Sequence, residues 1–173
     1  PYLAKSKIEK LNLIPGAILE GNLTPPQKLD LPHVEDMKYS NLHYVRKCSS
    51  EEFEKALKNT VFNSIEEGFD NKLPGNGQKV IPHNDPPSKS IITLFLKPGQ
   101  IEIVSNQYKA GEIRLHLKDN DEKDYQYLSI TDFGFHGLTI SMQNDYSYIQ
   151  RLNDFIRNQQ RLYLRVGLGR RYK

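Results

Sequence analysis

The residues best suited to chemistry lie near the end of the chain, where Arg161, Tyr163 and Arg165 alternate with Leu162, Leu164 and Val166. A period of two is that of a strand with one buried and one wet face, so the wet face here is basic and aromatic. Side chains at alternate positions stand about 7 Å apart, close to the spacing of successive phosphates on a single nucleic-acid strand. Guanidinium groups fork onto phosphate oxygens, and a tyrosine between them offers a ring on which a base can stack. Arg170, Arg171 and Lys173 prolong the cationic run, and Arg114, Tyr125 and Tyr127 extend the surface if their hairpin neighbours the closing strand. The competing reading is a solvated face whose arginines pair with Asp154 or with the acidic run from Asp119 to Asp124.

Other polar clusters are weaker candidates. His33, Glu35 and Asp36 could serve as general acid and base, which needs only two groups within reach. They follow Pro32, and the alternative is a turn in which a carboxylate caps neighbouring amides. His136 with Asp132 is a second such pair. Each histidine is solitary and lacks the paired spacing of zinc motifs, so no metal is expected. Asp119, Asp121 and Asp124 lack the glycine and closing glutamate of a calcium loop, which leaves a solvated hairpin tip. Pro74-Gly75-Asn76-Gly77 lacks the Gly-Lys-Ser/Thr ending of a phosphate loop, and its residues are those of turns. No cofactor is implied.

The totals narrow the classes. At 37% hydrophobic and 26% charged over 173 residues, the chain can build a core but holds no apolar run of membrane-spanning length. Cys48 is the single cysteine, which excludes an internal disulfide framework and favours a reducing cytoplasm. The opening Pro1 lacks a secretory leader and reads as the start of a fragment. Residues 1–89 carry twelve basic and twelve acidic side chains, residues 90–173 twelve and nine, and seven of the eight arginines lie after position 110. The excess positive charge therefore belongs to the second half, with residues 151–173 at a net +6.

The elements that must position these residues follow from periodicity. Residues 14–23 read as a turn feeding a short strand, closed by Thr24-Pro25-Pro26, and Leu42–Arg46 alternates as a second. Ser49 and Glu52 form a capping box for a helix over 49–69, whose stripe of Phe53, Leu57, Val61, Ile65 and Phe69 is expected in the core. Residues 72–89 form a long loop and a candidate boundary. Four strands then follow closely: 91–96, expected to be covered on both faces, then 101–104, 113–117 and 125–130, the signal of a meander or small barrel. Asp145 caps a second helix, 145–158, with Ile149, Leu152, Phe155 and Ile156 as its buried stripe. The expected class is a β-rich α+β fold with OB-like barrel units and two amphipathic helices. One partial unit covers 1–71, the loop 72–89, and a second unit 90–173, the alternative being one compact domain.

Three stretches in order resemble the dual OB-containing domain family of bacterial conflict and defence systems. They are Pro32-His33-Val34-Glu35-Asp36, Tyr127-Leu128-Ser129-Ile130-Thr131-Asp132 and Leu164-Arg165-Val166-Gly167-Leu168-Gly169-Arg170. The resemblance implies a pair of OB-like barrels, a nucleic-acid-binding role in antiviral defence, and a chain truncated at one or both ends. The functional expectation is thus a non-enzymatic module that binds nucleic acid, single strands favoured, through its last strand. The alternatives are a protein-interaction subunit and a nucleic-acid-modifying enzyme using His33, Glu35 and Asp36.

Overall fold

A computed structural model describes residues 5–73, 85–106, 112–132, 135 and 146–169. Among these, eight strands and four helices form a β-rich α+β fold. In chain order they are α1 (Lys5–Lys10), β1 (Ala17–Thr24), β2 (Lys38–Lys47), α2 (Ser50–Lys58), β3 (Val61–Phe62) and α3 (Ile65–Gly68). There follow β4 (Ile91–Leu96), a 3₁₀ turn over Pro98–Gln100, β5 (Ile101–Ser105), β6 (Ile113–Lys118), β7 (Asp124–Ser129), α4 (Tyr146–Arg157) and β8 (Leu162–Gly167). The strands make three sheets, ordered β1-β2, β3-β4-β8 and β5-β6-β7, and none closes on itself among the described residues. The chain packs as two units. Described residues up to Val61, Glu66–Thr93 and those from Arg165 make the first; Phe62–Ile65 and Leu94–Leu164 make the second.

In the first unit, β1 and β2 pair antiparallel from Ala17 opposite Lys47 to Thr24 opposite Lys38, with irregularities at Ile18/Leu19 and Glu20/Asn22. Gly21 sits in the second of these because a Cβ there would come within 2.9 Å of the Leu42 Cα. The capping box at Ser49 is present: its hydroxyl accepts the Glu52 amide at 3.2 Å, and the Glu52 carboxylate accepts the Ser49 amide at 2.8 Å. Arg46 forks onto that same carboxylate at 2.7 and 2.8 Å. The Arg46 bonds first, and the Ser49 amide second, draw the Glu52 pKa down to about 2.

The helix over 49–69 does not continue as its periodicity suggests. It stops at Lys58, β3 pairs with β4, and only a single further turn, α3, carries Ile65. No residue of α2 is buried; of the expected stripe only Ile65 and Phe69 are. Phe69 is buried in the first unit together with Leu11 and Ile92, each such side chain stabilising by about 1.5–3 kcal/mol. The ends of the long loop are tied together: Lys72 reaches Asp85 at 2.5 Å and the Pro86 carbonyl at 3.0 Å, and Asp70 accepts from the Ser88 amide and hydroxyl.

The second unit holds the antiparallel meander β5-β6-β7, while the expected first strand of that series, β4, belongs to another sheet. Ile103, Leu115 and Leu117 are the meander's buried residues. On α4 the inward position falls to Asn153, not Phe155. The Asn153 amide accepts from the Ile103 N–H at 2.8 Å and donates to the Ile103 carbonyl at 2.9 Å, as a neighbouring strand would. Phe155 is 65% exposed. The hairpin tip is solvated at Asn120, Asp121, Glu122 and Asp124, as expected, but Asp119 is fully buried and its carboxylate accepts the amides of Ile65, Asp121 and Lys123 at 3.1–3.2 Å.

Gly68 sets a packing test in the first unit. An added Cβ would lie 2.5 Å from the Ile92 Cδ1 and 3.0 Å from its Cγ2, and Ile92 is itself fully buried. Gly68→Ala is expected to destabilise the fold by about 1–3 kcal/mol, read as a lower urea midpoint. Adding Ile92→Val should return part of that loss by removing the nearest atom. An unchanged midpoint in the single variant would refute the tight contact.

Candidate nucleic-acid interface

β8 forms because Leu162, Leu164 and Val166 alternate with polar residues, and it is held as an edge strand beside β4. The pairing continues past its end, where the Leu168 amide donates to the Ser90 carbonyl at 2.9 Å. The face bearing Tyr163 and Arg165 is part wet: Arg165 is exposed and Tyr163 half-buried. β4 is not covered on both faces as its apolar run suggests. Ile92, Leu94 and Leu96 are buried on one side, but on the other only Thr93 is, between Ile91 and Phe95 at 45% and 42% exposure.

In the first unit, Arg165 rests on a hydroxyl. Its Nη1 donates to the Thr93 Oγ1 at 3.4 Å. The Thr60 hydroxyl donates to the Leu57 carbonyl at 3.0 Å and lies 2.7 Å from the Thr93 hydroxyl. Each hydroxyl has one proton, so with the Thr60 proton spent on Leu57, Thr93 donates to Thr60 and offers Arg165 a lone pair. Arg165 makes no ion pair among the described residues, and the 3.4 Å contact leaves most of its five N–H donors for a ligand. In the second unit, the Tyr163 ring meets Phe95 with centroids 5.2 Å apart at a 51° tilt. The separation lies within the range of favourable aromatic pairs, the tilt falls between stacked and edge-on, and Phe95 stays half open to water.

The other expected contact residues are placed differently. Arg161 is exposed just before β8. Arg114 does not join a cationic surface: its guanidinium is 2.7 Å from the Glu112 carboxylate, bonds the Ser129 hydroxyl, and has only 22% of its side chain exposed. The neighbouring carboxylate cancels its charge locally. Tyr127 packs edge-on against His116 at 4.8 Å, at a bulge where Gln126 and Tyr127 together oppose His116. Its φ of 55° is costly for a large side chain, so Tyr127 is locked into its own sheet. Asp154, the expected partner of the closing arginines, instead meets Arg157 at 3.3 Å, one turn away. Arg170, Arg171 and Lys173 lie outside the described residues, as do His136 and Asp145.

Nothing matches the chain among family models, curated proteins or solved structures.

In the His33, Glu35 and Asp36 cluster, Glu35 is engaged by the start of β4. The Glu35 carboxylate accepts the Ser90 amide at 2.6 Å, the Ser90 hydroxyl at 2.5 Å and the Ile91 amide at 3.4 Å. Partial burial raises its pKa, but the Ser90 hydroxyl and amide and then the Ile91 amide outweigh that, so the carboxyl titrates below its ordinary value. His33 and Asp36 share successive turns, the His33 amide bonding the Asp30 carbonyl and the Asp36 amide bonding that of His33. Asp132 likewise takes the Phe135 amide at 2.7 Å. Among the described residues no three His, Cys, Asp or Glu side chains converge to hold a metal. Sequence reasoning missed Thr60, Thr93 and Phe95 as supports of β8. The signal available was the outward position of Thr93 and Phe95 in an alternating reading of β4.

Glu35→Ala strips a partner from the buried Ser90 amide and is expected to cost about 1 kcal/mol, the low end for an orphaned amide because water can reach the exposed carboxylate site. Since the folded carboxyl titrates below the unfolded one, its stabilisation is complete above the ordinary glutamate range and fades as pH falls through the folded value. Glu35→Gln should therefore flatten that part of an acid-unfolding curve. An identical acid limb in wild type and Glu35→Gln would show that the clamp contributes nothing.

Proposed function

We propose that this chain is a non-enzymatic nucleic-acid-binding module that engages a single strand along β8, with Arg161 and Arg165 on phosphates and Tyr163 under a base. The observation that carries the reading is Arg165: exposed, seated on the Thr93 hydroxyl, and without a carboxylate among the described residues. A hydroxyl orients a guanidinium without cancelling its charge, which is the state a phosphate-binding arginine requires. Arg170, Arg171 and Lys173 continue the contact along the same polypeptide. An open sheet face with a half-exposed aromatic pair suits a base without demanding sequence. The OB-like reading of the sheets and a setting in bacterial defence belong to this proposal and rest on the family resemblance.

One observation favours a protein-interaction role as the second reading. Phe155 projects from α4 at 65% exposure, where an amphipathic helix would ordinarily bury it.

The test is fluorescence anisotropy with labelled single-stranded DNA and RNA across a salt series. Tyr163→Ala should weaken binding roughly 5- to 150-fold, the equivalent of about 1–3 kcal/mol of stacking. Arg165→Ala should flatten the log–log salt dependence by about 0.7, one phosphate contact. Absence of binding to either polymer at low salt would remove the proposal in favour of the second reading.

A further inference from the structure

The first unit contains a cleft of about 250 Å³ between α1 and β2, lined by Lys7, Lys10, Leu11, Tyr39, Ser40 and Leu42 among others. Leu11 is buried and anchors the last turn of α1, so the lysines on that helix are held over β2. Lys7 and Lys10 are three residues apart and share one helical face. The Lys7 ammonium stands 4.4 Å above the Tyr39 ring, a seat that attracts a cation without neutralising it. Lys10 makes no hydrogen bond or ion pair among the described residues, and no carboxylate lines the cleft. Lysines in a last turn also stabilise the helix end, but that role requires neither the ring nor the concavity. Two uncompensated charges in a hollow focus positive potential there.

We infer that this cleft holds one nucleotide of the bound strand, with its phosphate on Lys7 and Lys10 and its ring system against Tyr39 and Leu42. The volume is below the roughly 300–1,000 Å³ of drug-sized sites, which suits a single nucleotide unit and is too small for a dinucleotide cofactor. Leucine and tyrosine walls take the planar apolar part, and Ser40 adds a hydroxyl at the rim. The inference rests on the nucleic-acid reading above and adds to it a contact point separate from β8.

The test is the salt dependence of single-strand binding in the intact chain, comparing wild type with K7Q/K10Q, Tyr39→Leu, Arg165→Gln and a charge-matched control, K55Q/K58Q on α2. Loss of that phosphate contact should flatten the log–log slope by about 0.7, as for Arg165→Gln, with no change for the control. Tyr39→Leu should leave the slope in place and weaken binding at least several-fold through lost stacking. Thermal melts matching wild type establish that the lysine variants fold. If K7Q/K10Q keeps the wild-type slope while Arg165→Gln lowers it, the cleft is not a contact and β8 stands alone. An equal drop in K55Q/K58Q would reduce the effect to net charge and overturn the assignment. Wild type that binds no strand at low salt defeats both readings together.

Discussion

Ser90 is held from two directions, and the placement of everything beside it in the first unit follows. Its amide and hydroxyl are taken by Glu35, and its carbonyl takes the Leu168 amide. One residue thus ties the connector after β1, the start of β4 and the end of β8. Because the side-chain period of a strand is two, fixing its first residue fixes every face after it. Ile92 then points inward and is fully buried, while Thr93 points to the side on which Arg165 lies. A slip of one residue would bury Arg165 and expose Ile92, so the Glu35 carboxylate helps determine which side chains reach water.

This dependence explains why the sequence offers Glu35 as a cap for neighbouring amides without showing which amides it meets. Ser90 is 55 positions away, and no local pattern announces that two such residues meet. Local signals did transmit well. The capping box at Ser49 and Glu52 needs only neighbours three residues apart, and the alternation in β8 needs only its own strand. The helix over 49–69 failed for the complementary reason. Val61, Ile65 and Phe69 extend an i, i+4 repeat by coincidence, while the Thr93 amide claims the Thr60 carbonyl at 3.0 Å and draws Val61 into a strand. Tertiary pairing overrides the weaker helical preference of Thr60 and Val61, which are β-branched.

Asn153 and Arg114 show two further limits of apolar periodicity. A buried amide that closes a strand edge is worth more to that helix position than a phenyl ring, but its value lies entirely in the backbone it meets. No stripe analysis selects it. Arg114 was different, because Glu112, just before β6, is only two residues away and meets it directly. Its neutralisation was legible, and a count of clustered arginines that ignores neighbouring carboxylates overstates a basic surface.

Charge therefore has to be judged by what each cation rests on. Arg114 and Arg157 rest on carboxylates and Arg165 on a hydroxyl. The relay from the Leu57 carbonyl through Thr60 and Thr93 leaves a lone pair facing the guanidinium, so the direction of each hydroxyl is settled before a ligand arrives. Ordering a long side chain on binding costs on the order of 0.5–1.5 kcal/mol, and a support that already restrains Arg165 lowers that cost while keeping the full positive charge. A carboxylate in the place of Thr93 would restrain the side chain more strongly and spend its charge in doing so. For an anion as highly charged as a nucleic-acid backbone, the hydroxyl is the better seat, because the electrostatic part of the affinity grows with each unneutralised cation brought to a phosphate.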